Sequence, residues 1–158
     1  MAKAVTLKDK DDNVLYPVTS FDLVCGKSFF WKKGDQVTGM NFSTAWQQVP
    51  ISGWALTFTA DVGAFYKVEI ATSYLCWTES GVNIELDMNF SITGATIIAP
   101  LYGTATGTGA SGAAFPRNCG GIIQATATSV TITPSITAGR TGSYCRVDNG
   151  YVFVMKIG

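Results

Sequence analysis

Nine residues in the middle of the chain, Ile84-Glu85-Leu86-Asp87-Met88-Asn89-Phe90-Ser91-Ile92, alternate apolar and polar without a fault. Successive side chains of a β-strand point to opposite faces, so a period of two predicts a strand with one face in a core and the other in water. Neighbouring segments read the same way. Trp54 to Thr59 is rich in β formers, and Phe65 to Tyr74 places Tyr66, Val68, Ile70 and Thr72 on one side. Ile122 to Thr128 and Val130 to Thr133 follow, with Pro134 expected to end the run. Ser143 to Val147 and Tyr151 to Ile157 are joined through Asp148-Asn149-Gly150, an Asn-Gly pair that predicts positive φ angles and a tight hairpin. No stretch carries a 3.6-residue period with caps. The expected fold is all-β, and about eight strands in roughly 120 residues fit a jelly-roll-like two-sheet sandwich.

Charge is scarce and unevenly spread. Charged residues make up 14% of the 158-residue chain, against ~25% in an ordinary soluble protein. Eleven Lys and Arg balance eleven Asp and Glu, which argues against a basic surface for nucleic acid or anionic lipid. Half of these charges lie in the first 35 residues. That shift predicts an extended N-terminal arm over residues 1–35 and a sandwich domain over 36–158. Within the arm, Val14 to Val18 is the one extended piece, and Pro17 suits it to an edge or to a partner's sheet. No apolar run approaches the ~20 residues of a membrane helix, and the N-terminus lacks the apolar stretch of a signal peptide. Synthesis in a cytoplasm without membrane insertion is therefore expected.

Several patterns suggest chemistry, and each has a plainer reading. There is no His, so a Ser-His-Asp triad, a Cys-His pair or a zincin site cannot be built. Gly107-x-Gly109-x-x-Gly112 has the dinucleotide spacing, but no strand-to-helix unit surrounds it. It lies in the small, uncharged stretch Gly103 to Ala114, read as a mobile loop. Asp9-x-Asp11-x-Asn13 begins like a calcium loop, then fails at Val14 and Ser20. Glu85 and Asp87 share the polar face of one strand, where a solvated surface is a simpler account than a glycosidase pair. Asn41-Phe42-Ser43 and Asn89-Phe90-Ser91 match the glycosylation acceptor without a route to that machinery. No cofactor, metal or catalytic site is expected, and the chain reads as a structural or binding protein.

Cysteines Cys25, Cys76, Cys119 and Cys145 have no CxxC spacing. Four cysteines allow three pairings, and the even count is the only argument for bridges, so the bland reading is free thiols. Cys76 and Cys145 are expected to pack as small hydrophobes, and Cys119, after Pro116-Arg117-Asn118, to sit exposed in a loop. Trp31, Trp46, Trp54 and Trp77 with Tyr66, Tyr74, Tyr102, Tyr144 and Tyr151 supply a core and leave two or three rings for a surface. Phe29, Phe30 and Trp31 are consecutive and cannot all face one small core, which predicts an intersubunit contact there.

The opening Leu7-Lys8-Asp9-Lys10-Asp11-Asp12-Asn13-Val14-Leu15-Tyr16-Pro17-Val18-Thr19 resembles a segment at the start of many bacteriophage virion appendage proteins, the head-fibre and tail-fibre proteins. Asp12 stands where that pattern usually has Gly, and the likeness covers only this segment. The resemblance implies a virion location, an N-terminal segment anchored to capsid or tail proteins, and a C-terminal β domain displayed as a homotrimer. On that reading Val14, Leu15, Tyr16, Pro17, Val18 and Thr19 attach by edge-strand pairing, and exposed aromatics meet a host cell-surface glycan. The alternatives are a capsid decoration protein without a receptor role, a soluble carbohydrate-binding module, and, least of all, a depolymerase using Glu85 and Asp87.

Overall fold

A computed structural model describes residues 7–8, 14–15, 29–77, 86–101, 114–139 and 144–158, with backbone alone at 7–8, 14–15, 73–77, 101, 114–117 and 144. The strands are β1 (Leu7–Lys8), β2 (Val14–Leu15), β3 (Phe29–Gly34), β4 (Val37–Asn41), β5 (Val49–Pro50), β6 (Leu56–Thr59), β7 (Phe65–Trp77), β8 (Leu86–Thr93), β9 (Ala95–Leu101), β10 (Ala114–Ala125), β11 (Ser129–Ala138), β12 (Tyr144–Val147) and β13 (Gly150–Lys156). Among the described residues the only helical piece is a 3-10 turn, Ser52–Trp54, and no helix is long and apolar enough to cross a membrane.

A seven-stranded sheet and a four-stranded sheet face each other, and β1 pairs with β2 alone. Several strands are two halves of one. β12 lies on β7 with Val147 opposite Leu75, and β13 resumes three residues later on both chains with Gly150 opposite Thr72. β3 and β4 run beside them in the same way, Gly34 opposite Gly150 and Val37 opposite Val147. β5 and β6 likewise share one flank of β11. Counted this way, the eleven strands of the two sheets form eight units. The first, last, third, sixth and fifth lie side by side in one sheet, and the second, seventh and fourth in the other. That interleaving is jelly-roll-like, with the fifth unit beside the sixth rather than in the smaller sheet, so the expected fold class holds.

The interior is built by the alternation read from the sequence. Tyr66, Val68, Ile70 and Thr72 of β7 all point inward, as do Leu86, Met88 and Phe90 of β8. They meet Val130, Ile132 and Ile136 of β11 and Val152 and Val154 of β13, which are fully buried. Trp54 is wedged beneath the paired Gly34 and Gly150. A Cβ on Gly34 would lie 2.1 Å from the indole, and one on Gly150 would lie 2.6 Å from it. The indole N–H donates to the Asp35 carbonyl at 2.7 Å, so this large ring is held where both outer strand pairs are interrupted.

Four expectations are corrected here. Residues 29–34 are not arm: β3 pairs along its length with β13, so the sheet begins at Phe29 and the charge shift near Gly34-Asp35 falls inside it. Asp35 lies in the break between β3 and β4. Asp148-Asn149-Gly150 is not a hairpin, since neither Asn149 nor Gly150 has a positive φ and β12 and β13 are collinear. Asp148 instead staples the break, accepting from the Arg146 guanidinium at 3.3 Å and from the Gln36 amide, while its carbonyl accepts from the Thr72 hydroxyl at 3.0 Å.

Pro134 does not end β11. Its carbonyl accepts from Ile51 at 2.7 Å, so its missing N–H also faces the flank between β5 and β6, where the ladder is already broken. Cys119 is buried within β10 rather than exposed in a loop. Burial pushes its thiol from an ordinary value near 9.0 up to about 12. Cys119 is a free thiol, and Cys145 is buried as expected. Cys25, Tyr16, Pro17, Val18, Thr19, Glu85, the Gly103 to Ala113 stretch and the side chain of Cys76 lie outside the described residues. Of the expected attachment strand, Val14–Leu15 is seen paired to Leu7–Lys8.

Candidate functional site

Two apolar runs that defeat the alternation rule pair with each other. Phe29-Phe30-Trp31 of β3 lies against Phe153, Val154 and Met155 of β13, with Trp31 opposite Phe153 and Phe29 opposite Met155. An unbroken apolar run is the mark of a strand covered on both faces. One face of this pair is covered by the core. Phe30 turns inward and stacks on Phe58, ring centroids 4.8 Å apart.

Phe29 and Trp31 point the other way. Phe29 stacks on Phe153 with centroids 6.0 Å apart, and Trp31 remains 59% exposed. The rows of the sheet extend this surface. Trp31 and Phe153 continue to Glu69 and Gly120, Phe29 and Met155 to Lys67 and Ile122, and Lys33 and Tyr151 to Ala71 and Asn118. The result is an outward platform of rings and aliphatic chains with a few charges set among them.

The charges fix the geometry. The Tyr151 hydroxyl donates to Glu69 Oε1 at 2.6 Å, and Lys67 Nζ approaches Glu69 Oε2 at 3.5 Å. That hydrogen bond, with burial and the Glu69 charge behind it, holds the Tyr151 phenol above its ordinary range. Lys33 pairs with Asp35 at 3.0 Å. Beside Tyr151 the strand interruption opens a cleft of about 420 Å³ lined by Ala71, Thr72, Asn149, Gly150 and Tyr151. This set includes the Tyr151 phenol hydrogen-bonded to the Glu69 carboxylate. It offers apolar area, ring faces and short hydrogen-bonding side chains.

Sequence reasoning found Phe29 and Trp31 and missed Phe153, Met155 and Glu69. The signal was present in Tyr151 to Met155, apolar at every position, but only pairing with β3 shows that two such strands lie together.

The sequence matches no protein-family profile and no curated protein. Its fold is shared with solved structures. A structure of infectious bursal disease virus of the Gt strain is similar (TM-score 0.55, 13% identity, 98% of this chain and 37% of that one), as is the VP2 subviral particle of infectious bursal disease virus (0.53, 11%, 99% and 37%). The tripod from the baseplate of bacteriophage Tuc2009 is similar at TM-score 0.50 and 18% identity, over 100% of this chain and 76% of that one. The chain thus spans well under half of the infectious bursal disease virus chains it resembles. At these identities the likeness is one of fold: a β-sandwich of the jelly-roll type found in virus and phage structural proteins.

Proposed function

We propose that this chain is a structural subunit of a bacteriophage virion, a head-fibre or tail-fibre protein that docks through its N-terminal segment and self-associates as a homotrimer. The reading assigns it no catalysis. The observation that carries it is the outward aromatic face of β3 and β13, which no part of the described chain covers. A second copy is the occupant its chemistry favours. Lys67 beside Glu69 and Lys33 beside Asp35 alternate in sign, so a copy laid across the face meets opposite charges around an aromatic centre. The jelly-roll likeness to VP2 and to the phage tripod agrees with this setting. So does the opening segment that resembles virion appendage proteins.

Light scattering of the purified chain tests the reading, with a trimer expected. A monomer at concentrations well above those in a particle would overturn self-association. Deleting residues 1–20 is expected to leave a trimer that no longer joins particles, and incorporation of the truncated protein would overturn N-terminal docking.

A further inference from the structure

The two ends of the sandwich differ. At one end the strands are joined by the tight turns 60–64, 94 and 126–128. β3 enters there, since Phe29 lies opposite Met155 and Met155 opposite Lys67, close to the start of β7. At the other end β7 stops at Trp77, β11 stops at Ala138, β8 starts at Leu86 and β4 gives way to the segment 42–48. On the proposed N-terminal docking, this second end, opposite the one where β3 begins, would be the displayed one.

Segment 42–48 holds Trp46 in a conformation that needs a reason. Its φ is +62°, and among the described residues no other non-glycine has a positive φ. A bulky side chain rarely sits there, and Gly or Asn would make the same turn without strain. Burial offers no compensation, because the indole is 54% exposed. The turn is nonetheless firmly built. Phe42 is fully buried at its start, and the Trp46 N–H donates to the Ala138 carbonyl at 2.7 Å. The Ser43 N–H and hydroxyl both donate to Gln47 Oε1, at 2.8 and 2.7 Å. Strain held in place by its surroundings is a mark of a working site.

Resting on the docking and display reading above, we propose that Trp46 is the stacking platform of a site for a neutral saccharide. The segment from Phe42 to Pro50 carries no charge, which disfavours phosphate or an anionic sugar. A single exposed ring does not make the aromatic cage that a quaternary ammonium ion requires. What remains is an exposed indole in an uncharged turn whose other polar side chains, Ser43, Thr44 and Gln47, are hydroxyls and an amide. Such a set suits a ligand with an apolar ring face and hydroxyls at its rim. Rigid display of the ring limits the entropy lost on binding, and a trimer would repeat the site three times.

The test is calorimetric titration of the full chain with neutral trisaccharides of glucose, galactose and N-acetylglucosamine, repeated on Trp46→Gly and Trp46→Phe. Binding of one of them is expected, weakened roughly tenfold or more in Trp46→Gly and partly kept in Trp46→Phe. Trp46→Gly should melt no lower than the parent, which separates loss of a ligand from loss of fold. The proposal is overturned if none of the three binds, or if Trp46→Gly binds as the parent does. It is also overturned if Trp46→Gly fails only in particle assembly, which would make Trp46 a protein contact. Saccharide binding by a chain that never joins particles would keep the site and remove the virion reading.

Discussion

On the outer surface of the four-stranded sheet, Thr57, Thr131 and Thr93 stand abreast; on that of the other sheet, Trp31, Phe153 and Glu69 do. The first surface goes on in kind, with Thr133 beside Ser91, Ser129 beside Thr59, and Thr137 beside Asp87. The Thr57 and Thr131 hydroxyls share a hydrogen bond at 2.8 Å, and Gln48 reaches over to donate to Ser135 at 2.6 Å. Short hydroxyl side chains of this kind need no apolar cover. The aromatic face leaves Trp31 and Tyr151 in solvent, where burial would be favourable by roughly 25 cal/mol per Å² of apolar area. One sandwich thus carries a surface adapted to water and a surface adapted to a partner. On the proposed self-association, the aromatic face would lie inside the assembly and the hydroxyl face outside.

The comparison requires a common interior, and the largest expected effect lies there. Trp54→Ala should lower the unfolding free energy by ~3–5 kcal/mol, read from urea melts, because it empties the space beneath Gly34 and Gly150. An unshifted midpoint would take the indole out of the shared core. Next comes the contrast itself. Trp31→Asp combined with Phe153→Asp should weaken self-association by about 2 kcal/mol or more, roughly 30-fold, in sedimentation, with the circular dichroism unchanged. The matched pair Thr57→Asp and Thr93→Asp should leave the mass as it was. If the hydroxyl-face pair dissociates the assembly instead, the assignment of faces is reversed.

A smaller effect concerns Cys119, on the core side of the five-unit sheet. Its thiol keeps its proton in the folded chain up to about pH 12 and loses it near pH 9.0 when unfolded, so the unfolded state binds fewer protons between these values. Stability is full below pH 9.0 and falls above it, by up to about 1.4 kcal/mol per pH unit from this group. Denaturation series on the wild type and Cys119→Ala should therefore converge as pH rises through that window. Parallel series would show that the thiol is accessible in the native state. The smallest change is expected for Thr131→Val, within ~1 kcal/mol in melts and without effect on mass, since one exposed hydroxyl pair is lost.

Where side chains alternated cleanly, the strands were legible in advance. Leu86, Met88 and Phe90 face the core because period two leaves them no other choice, and the same holds from Tyr66 to Thr72. Local rules failed where a residue's meaning depended on a strand far away in the chain. Asn149-Gly150 has the chemistry of a hairpin turn, yet β7 offers one continuous edge and the chain follows it straight. Pro134 has the chemistry of a terminator, yet its missing donor falls on the flank where the ladder is interrupted between β5 and β6. Cys119 follows Pro116, and that short-range cue concealed a residue paired with Ile70 in the interior.

The candidate site divides along the same line. Composition and alternation were enough to establish an all-β chain with a surplus of rings and no histidine chemistry, because both act residue by residue. Which ring faces inward was decided by pairing, since Phe30 and Trp31 are neighbours in the chain and separated by a sheet. Trp46 was one aromatic among many until its backbone angle set it apart. Backbone strain is a property of a closed structure: the Ala138 carbonyl that holds Trp46 in place comes from ninety-two residues further along the chain, brought near only by the folded sandwich.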